Sequence, residues 1–343
     1  MTEHDLLPLE PLTAWMRGRI PGFTEIRSAS KTPTGQSNPT FVLETDVGRL
    51  VVRRKPPGEL MPSAHAIERE FRVMHALSRS DVPVPRAHAL CEESEVLGAP
   101  FYIMDYVEGQ TENDPSCPGL STTSRGALYD NMNACLAALH RIDPVVVGLG
   151  DFGRPEGYYA RQLRLWAAQY RTNETVIVAG VDGVIDWLQA NVPYPQGAAR
   201  IVHGDWRLDN LRFDPGSGEI LAVLDWELST LGDPLADLGT QIMQWRMPAG
   251  EEGRGLRGVD RTALNIPQDS AYIARYAERA GWTTPPDMTF PIAFALFRMA
   301  AILQGVRKRS LDGNASNPEQ ALKLAASIPL LIREAMDEIS GGS

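Results

Sequence analysis

The sequence predicts an α+β fold, in which a sheet-containing region comes first and a larger, mostly helical region follows. The chain has 343 residues, 43% of them hydrophobic, and is long enough for two lobes. Residues 40–55 alternate as a β-hairpin does, and a helical apolar period follows at 62–78. Helical periods also occur farther along the chain, at residues 128–140, 159–170 and 291–309.

The first predicted element is the hairpin, in which Thr-Phe-Val-Leu-Glu and Arg-Leu-Val-Val-Arg flank a turn at residues 46–48. The loop ahead of it, residues 34–38, is small and polar. Such a loop can lay backbone N–H groups and the hydroxyl of Ser37 over phosphate oxygens. Ser37 and Asn38 are therefore candidate nucleotide-binding residues. The loop does not form a specific motif, because the same residue types form ordinary turns.

Glu70 lies beside the apolar face of the helix predicted at 62–78 and is a candidate partner for a cation on the hairpin. That face consists of Ile67, Phe71, Met74 and Leu77. A helix glutamate that pairs with a strand cation can orient the cation on nucleotide phosphates. Strand alternation puts Arg53 and Lys55 on one face and Arg54 on the other, so Arg53 and Lys55 are the candidates for this cation. The alternative is that all three are solvated surface charges.

Two predicted strands lead into loops that carry acidic side chains. Residues 201–202 predict a short buried strand that runs into a His-Gly-Asp tripeptide ending at Asp205, and Asn210 follows five residues later. Residues 220–224 predict the strand that delivers Asp225. In phosphoryl transfer of the kinase type, one Asp accepts the proton of the attacking hydroxyl, while an Asn and a second Asp hold magnesium. The alternative is that these loop residues only cap turns.

The run from His203 to Asp237 resembles the aminoglycoside phosphotransferase and choline kinase superfamily. It reads His-Gly-Asp-Trp-Arg-Leu-Asp-Asn and, farther on, Leu-Asp-Trp-Glu-Leu-Ser-Thr-Leu-Gly-Asp-Pro-Leu-Ala-Asp-Leu. The resemblance implies that Asp205 is the catalytic base and that Asn210 and Asp225 bind magnesium. The Gly of His-Gly-Asp departs from the His-Arg-Asp of protein kinases. Asp237 matches a family Asp that we expect to be structural, as a cap for the helix that follows.

The same resemblance implies a bilobal, protein-kinase-like fold. A five-stranded antiparallel sheet would lie in the first lobe, residues 1–107, and the second lobe, residues 108–343, would be mostly helical. ATP and Mg²⁺ are the implied cofactors. Arg53, steadied by Glu70, would hold phosphates in place of the usual Lys. The strand at residues 101–104 would lead to the hinge, where the carbonyl of Asp105 and the amide of Val107 meet the adenine.

The acceptor is expected to be a small molecule with a hydroxyl group. The run Arg-Arg-Lys-Pro-Pro-Gly after Val52 resembles the phosphotransferase domain joined to acyl-CoA dehydrogenases, whose members are implied to phosphorylate hydroxyacyl-CoA compounds. Four arginines lie among apolar residues in the predicted helices of the second region. If they cluster over Asp205, they suit such an anionic acceptor; the alternative is that they are solvated. These residues are Arg161, Arg164, Arg298 and Arg307. One alternative is an aminoglycoside acceptor, a polycation that would require acidic residues around its binding site. Another is a non-catalytic nucleotide-binding regulatory module.

Composition argues against other functional classes. A net charge of −10 without a Lys/Arg-rich block makes nucleic acid an unexpected partner. The first residues lack the pattern of a signal peptide, and Arg298 interrupts the most apolar window, residues 291–303. We therefore expect a soluble, cytoplasmic protein without a membrane partner. The three cysteines show no paired spacing and are expected to be reduced packing residues.

Overall fold

The structure, a computed structural model, describes residues 7–32, 38–56, 66–194, 197–250, 254–313 and 317–341. These residues form nine strands and eleven α-helices. The strands are β1 (Ile26–Lys31), β2 (Thr40–Thr45), β3 (Gly48–Arg54), β4 (Ala87–Cys91), β5 (Phe101–Asp105), β6 (Arg200–Val202), β7 (Leu211–Phe213), β8 (Ile220–Val223) and β9 (Thr230–Gly232). The helices are α1 (Leu9–Met16), α2 (Ile67–Leu77), α3 (Ser94–Leu97), α4 (Thr122–Arg141), α5 (Tyr158–Thr172), α6 (Val181–Ala190), α7 (Leu235–Arg246), α8 (Asp269–Ala280), α9 (Thr289–Leu311), α10 (Pro318–Ala325) and α11 (Ile328–Ile339).

The chain divides into two compact units. The first comprises the described residues up to Gly109 together with Leu221–Leu228. The second comprises Gln110–Ile220 and the described residues from Ser229 onward. The elements of the two units confirm the predicted α+β class, while the predicted domain division after residue 107 stays a prediction.

The first unit is built on a five-stranded antiparallel sheet in the order β1-β2-β3-β5-β4. The hairpin predicted at residues 40–55 is confirmed: Thr45 pairs with Gly48, and two residues make the turn. One face of the sheet packs against α1 in a core that includes Leu12, Phe41 and Val52. Because successive side chains alternate, Arg53 points to the opposite face from Val52.

Helix α2 contacts β4 and β5 of the sheet and the 3₁₀ turn Trp226–Leu228. The prediction placed this helix at residues 62–78; the observed helix is Ile67–Leu77, and residues 62–65 lie outside the described part of the chain. Three residues of the predicted apolar face, Ile67, Met74 and Leu77, are buried. The fourth, Phe71, is half-buried, and Val73, which was not predicted on that face, is buried. Glu70 projects from the same helix and is 1% exposed.

The second unit is organised around α9, which packs against α5, α6, α7, α10 and α11. The prediction of a helix at 291–309 is confirmed, and the observed helix has two more residues at each end. Among the described helices, α9 has the length and apolar composition to cross a membrane, yet 72% of its most apolar window is buried inside the protein. Such burial is what the core helix of a helical unit shows.

Helix α4 begins six residues before its predicted start at Leu128, while α5 agrees closely with its prediction. The side chain of Ser121 accepts a hydrogen bond from the backbone N–H of Ser124 and caps the helix. Its first turn, Thr-Thr-Ser-Arg-Gly, is polar and therefore carries little apolar period. The capping residue, rather than the period, decides where this helix begins.

Strand β6 sets the start of the loop that carries the His-Gly-Asp motif. It pairs antiparallel with β9, with Ile201 opposite Leu231. At the far end of the loop, Phe213 of β7 exchanges two backbone hydrogen bonds of 2.9 Å with Gln110. Both ends of residues 203–210 are thus fixed by backbone pairing. This segment is here called the catalytic loop, after the role that the sequence predicts for Asp205.

Candidate active site

The catalytic loop brings Asp205 and Asn210 together. Gly204 has a φ of 83°, a left-handed conformation that glycine adopts at little cost, and the chain turns sharply there. A 3₁₀ turn, Leu208–Asn210, then folds the loop back. Nδ2 of Asn210 donates to the backbone oxygen of Asp205 over 2.8 Å and to Oδ2 of its side chain over 3.0 Å. Since the amide nitrogen faces Asp205, the amide oxygen of Asn210 is not used in this contact.

Asp237 holds the backbone of the catalytic loop. Its Oδ2 accepts a hydrogen bond from the N–H of His203 over 2.7 Å, and its Oδ1 accepts from the N–H of Gly204 over 2.8 Å. His140 lies behind it, with Nε2 3.2 Å from Asp237 and Nδ1 2.6 Å from the hydroxyl of Tyr276. Burial alone would raise the pKa of Asp237, but the contacts with His140 and the loop outweigh it and lower that pKa.

The structural role expected for Asp237 is therefore confirmed, but its expected role as a helix cap is wrong. Asp237 lies inside the first turn of α7, and its side chain accepts hydrogen bonds from the catalytic loop rather than from the start of the helix. Asp233 accepts the hydrogen bond from the N–H of Leu235 instead, over 2.9 Å. Asp233 and Asp237, four residues apart, both lie near the start of α7. The sequence analysis assigned the capping role to Asp237, whereas Asp233 performs it.

In the first unit, Arg53 joins the residues that the sequence proposed for phosphate and metal binding. Its Nε lies 3.0 Å from Oε2 of Glu70, and its Nη2 lies 2.7 Å from Oδ1 of Asp225. The rivals have other partners: Arg54 donates to the backbone oxygen of Leu97, and Lys55 pairs with Glu68. The structure thus brings Arg53, Glu70 and Asp225 together.

Glu70 is a buried carboxylate with three partners. Besides Arg53, it accepts hydrogen bonds from Nδ2 of Asn38 over 2.9 Å and from the hydroxyl of Tyr102 over 3.0 Å. Burial raises the pKa of Glu70, and the Arg53 guanidinium limits that rise. Asn38, expected beside phosphates, is fully buried with its amide on Glu70, and Ser37 lies outside the described residues.

Sequence reasoning missed Tyr102 and Glu227. Tyr102 lies on β5 directly opposite Arg53, so the sheet register brings it to Glu70. Oε2 of Glu227 lies 3.8 Å from Nη2 of Arg53. The Asp-Trp-Glu sequence was a usable signal, because it puts Asp225 and Glu227 only two residues apart where the chain leaves β8.

Asp225 has a strained backbone and fits a cation. Its φ is 60°, in the left-handed region, which costs about 1–2 kcal/mol for a residue with a side chain. Such strain is often found at functional sites. The carboxylates of Glu70, Asp225 and Glu227 outnumber the one guanidinium of Arg53, so the cluster keeps an excess of negative charge. That excess suits a divalent cation.

The donor types fit Mg²⁺, which favours oxygen ligands and usually takes one or two protein carboxylates, with phosphates and water completing the shell. Asp225 offers a carboxylate in the first unit, and Asn210 offers an amide oxygen in the second. Within the described part of the chain there is no group of three or more His, Cys, Asp or Glu side chains that would form a metal site by itself.

The predicted hinge residues follow the end of β5. Oδ1 of Asp105 lies 2.5 Å from Nε2 of His88. The N–H of Tyr106 donates to the backbone oxygen of Arg49 over 3.2 Å, and the Arg49 guanidinium lies 4.1 Å from the Tyr106 ring centre. Val107 follows without regular structure and is half-buried. The adenine-binding role of Asp105 and Val107 stays a prediction.

The arginines considered for the acceptor have their own contacts in the second unit. Arg307 donates to Thr175, and the Arg298 guanidinium lies 5.4 Å from the ring centre of Trp166. Arg161 donates to the backbone oxygen of Arg154. Arg164 is exposed. Among the ion pairs of the described residues, the partner of Asp205 is a different arginine, Arg207.

Comparison with known proteins shows which family this chain belongs to. A profile of the phosphotransferase enzyme family matches residues 29–285. Acyl-CoA dehydrogenase family member 10 of Mus musculus is 46% identical over 297 residues, which are 86% of this chain and 28% of that protein. Member 11 of Rattus norvegicus is 37% identical over 329 residues, which are 94% of this chain and 42% of that protein. The chain thus spans less than half the length of either relative.

Solved structures show the same fold. A crystal structure from Ralstonia eutropha, provisionally described as an aminoglycoside phosphotransferase, is 43% identical with a TM-score of 0.87, covering 97% of this chain and 98% of that one. The complex of the aminoglycoside phosphotransferase APH(4)-Ia with AMP-PNP and hygromycin B has a TM-score of 0.61 at 16% identity, covering 94% and 98%. The predicted kinase-like fold class is confirmed. The chain belongs to the phosphotransferase enzyme family.

Proposed function

We propose that this phosphotransferase uses ATP and Mg²⁺ to phosphorylate a hydroxyl group of a small molecule, and that the acceptor is a hydroxyacyl-CoA. The observation that carries the proposal is the catalytic loop, in which the Asn210 amide holds the carboxylate of Asp205. A loop that orients one carboxylate and keeps an amide oxygen for a cation has the parts that phosphoryl transfer needs.

The proposal assigns a role to each candidate residue. In the first unit, Arg53 would bind phosphate oxygens, and its contact with Glu70 fixes its direction. Asp225 and Asn210 are the residues that would hold Mg²⁺, and the ion would neutralise phosphate charge. In the second unit, Asp205 orients the acceptor hydroxyl and takes its proton. Support for ATP comes from the APH(4)-Ia relative, which was solved with AMP-PNP.

Two observations support an acyl-CoA acceptor. The relatives that match most of this chain are named as acyl-CoA dehydrogenase family members. In the second unit, Nε of Arg298 is buried and has no hydrogen-bond partner among the described residues, so this positive group lacks a partner that an anionic ligand would supply. An unpaired guanidinium nitrogen attracts an anion and repels an aminoglycoside, which is a polycation.

An aminoglycoside acceptor is the second candidate, because the Ralstonia eutropha relative at 43% identity carries that description. The two candidates differ in the sign of their charge. Arg298→Gln should therefore raise the KM for a hydroxyacyl-CoA, whereas it should leave unchanged or lower the KM for an aminoglycoside.

A single screen tests the proposal. The purified protein is incubated with Mg²⁺ and ATP over panels of hydroxyacyl-CoA, aminoglycoside and amino-alcohol compounds, and ADP release is measured with each. We expect release with hydroxyacyl-CoA above the rate with water alone, and none with the acyl-CoA that lacks the hydroxyl. Release with aminoglycosides alone would refute the acceptor, and no acceptor-dependent release from any panel would refute the reaction.

A further inference from the structure

The catalytic loop contains another charged residue in contact with Asp205. Nε of Arg207 lies 3.1 Å from Oδ1 of Asp205. The other oxygen, Oδ2, accepts the 3.0 Å hydrogen bond from Asn210. Each carboxylate oxygen of Asp205 is therefore in contact with a different side chain of its own loop. The Asp205 side chain is 28% exposed, so packing alone does not fix it.

Asp209 holds Arg207 from the other side. Nη2 of Arg207 lies 3.1 Å from Oδ2 of Asp209, and Nη1 of Arg254 approaches the same oxygen to 3.5 Å. The Asp209 side chain is 14% exposed. Burial raises the pKa of Asp209, and the Arg207 guanidinium limits the rise. The guanidinium thus bridges the residue two positions before it and the residue two positions after it.

The local backbone explains this bridge. Arg207 is extended, with φ −148° and ψ 158°, and the 3₁₀ turn Leu208–Asn210 follows at once. The tight turn directs Asp209 back toward Arg207 and Asn210 back toward Asp205. The sequence Asp-Trp-Arg-Leu-Asp-Asn therefore folds into a closed set of polar contacts within six residues.

We infer that Arg207 is a positioning residue for phosphoryl transfer, which fixes the orientation of the Asp205 carboxylate and is itself anchored by Asp209. The inference rests on the proposed function, in which Asp205 is the base. A misplacement of about 1 Å in a reacting group can reduce the rate by about 100-fold. A partly exposed Asp would otherwise turn between rotamers, and Asn210 restrains only one of its oxygens.

The chemical step requires this orientation. The proton of the acceptor hydroxyl passes to the Asp205 carboxylate while the acceptor oxygen forms a bond to the γ-phosphorus. The bond from that phosphorus to the oxygen bridging to the β-phosphate breaks, and its electron pair leaves with ADP. Arg207 forms no bond in this step; it keeps the carboxylate facing the hydroxyl.

The guanidinium group is suited to this task in a way that an ammonium is not. Arg207 contacts Asp205 through Nε and Asp209 through Nη2, which are separate atoms of one rigid plane. Lysine would bring one nitrogen, which cannot hold both carboxylates in the same directions. A merely structural ion pair at the surface would contribute about 0–1 kcal/mol to stability and little to turnover.

The kinetic test compares Arg207→Gln and Arg207→Lys with Arg254→Gln as the matched control. Among the ion pairs of the described residues, Arg254 contacts Asp209 and has no contact with Asp205. In Arg207→Gln we expect kcat to fall at least about 30-fold, with the KM for ATP changed less than about twofold. Arg207→Lys should recover only part of kcat, and Arg254→Gln should stay within about threefold of the wild type. An unchanged kcat in Arg207→Gln, or an equal loss in Arg254→Gln, would overturn the inference.

Crystal structures of the wild type and Arg207→Gln provide a second readout, which does not depend on the acceptor. We expect one orientation of Asp205 in the wild type, and a second or shifted orientation in the variant. If the wild type transfers phosphate to no acceptor, the proposed function fails, while these structures still decide whether Arg207 fixes Asp205. An identical Asp205 orientation in both proteins would refute the positioning role.

Discussion

Removal of Arg53 should destabilise the first unit, and the loss should grow with pH. Arg53→Met leaves Glu70 buried without its cation, although Asn38 and Tyr102 still donate hydrogen bonds to it. Breaking a buried pair by removing one partner costs about 3–5 kcal/mol. The side chains of Arg53 and Glu70 are only 11% and 1% exposed, so solvent screens the pair weakly.

The pH dependence follows from Glu70. Burial raises its pKa in the folded state above the unfolded value, so the folded protein binds the proton more tightly. That contribution to stability is complete below the unfolded pKa and is lost as pH rises through the folded pKa. Without Arg53, the folded pKa of Glu70 rises further. The variant should therefore lose more stability at about pH 8 than at about pH 6.

Urea unfolding followed by tryptophan fluorescence measures the free energy of unfolding at both pH values. Lys55→Met is the matched control, because it removes a neighbouring charge whose pair with Glu68 is 24% and 32% exposed; its cost should be about 0–1 kcal/mol. A loss below about 1 kcal/mol in Arg53→Met at the higher pH, or a larger loss at the lower pH, would refute the reasoning.

Three further changes test other contacts. Tyr276→Phe removes the hydroxyl that lies 2.6 Å from His140 and should cost about 1 kcal/mol of unfolding free energy, measured in urea; no loss would contradict that network. Gly204→Ala forces a side chain onto a φ of 83° and should cost about 1–2 kcal/mol, visible as a lower Tm; an unchanged Tm would contradict the strain argument. Asp225→Asn should raise the half-saturating Mg²⁺ concentration about tenfold in an ADP-release assay, and an unchanged requirement would exclude it as a metal ligand.

Apolar periods predicted those elements whose burial has a clear period. Strand β2 and helix α2 each have one buried face, so the spacing of apolar residues revealed them. Helix α9 is instead buried without a break over residues 290–297, so its long apolar stretch marks it. Strand β1 has a half-buried residue at every third position and no alternation, and it forms because its backbone pairs with β2. Because backbone hydrogen bonds do not depend on side-chain type, the residue pattern of β1 did not predict this strand.

For the candidate site, chemical templates predicted which residue types meet but not how they are supported. The pairing of Arg53 with Glu70 followed from the strand face and the helix face. Tyr102 reaches Glu70 because of the register of β3 and β5, which the sequence does not display. Asn38 was expected on phosphates, yet a buried carboxylate requires donors, and its amide meets that need.

The central claim is that Asp205 accepts the proton of an acceptor hydroxyl during phosphoryl transfer from ATP. The most direct measurement is phosphorus NMR of the reaction with Mg²⁺, ATP and the acceptor found in the screen, for the wild type and Asp205→Asn. The wild type should form a new phosphate ester resonance in step with ADP. Asp205→Asn should bind ATP normally and form the ester at least about 100-fold more slowly. Ester formation at the wild-type rate in Asp205→Asn would contradict the assignment of the base.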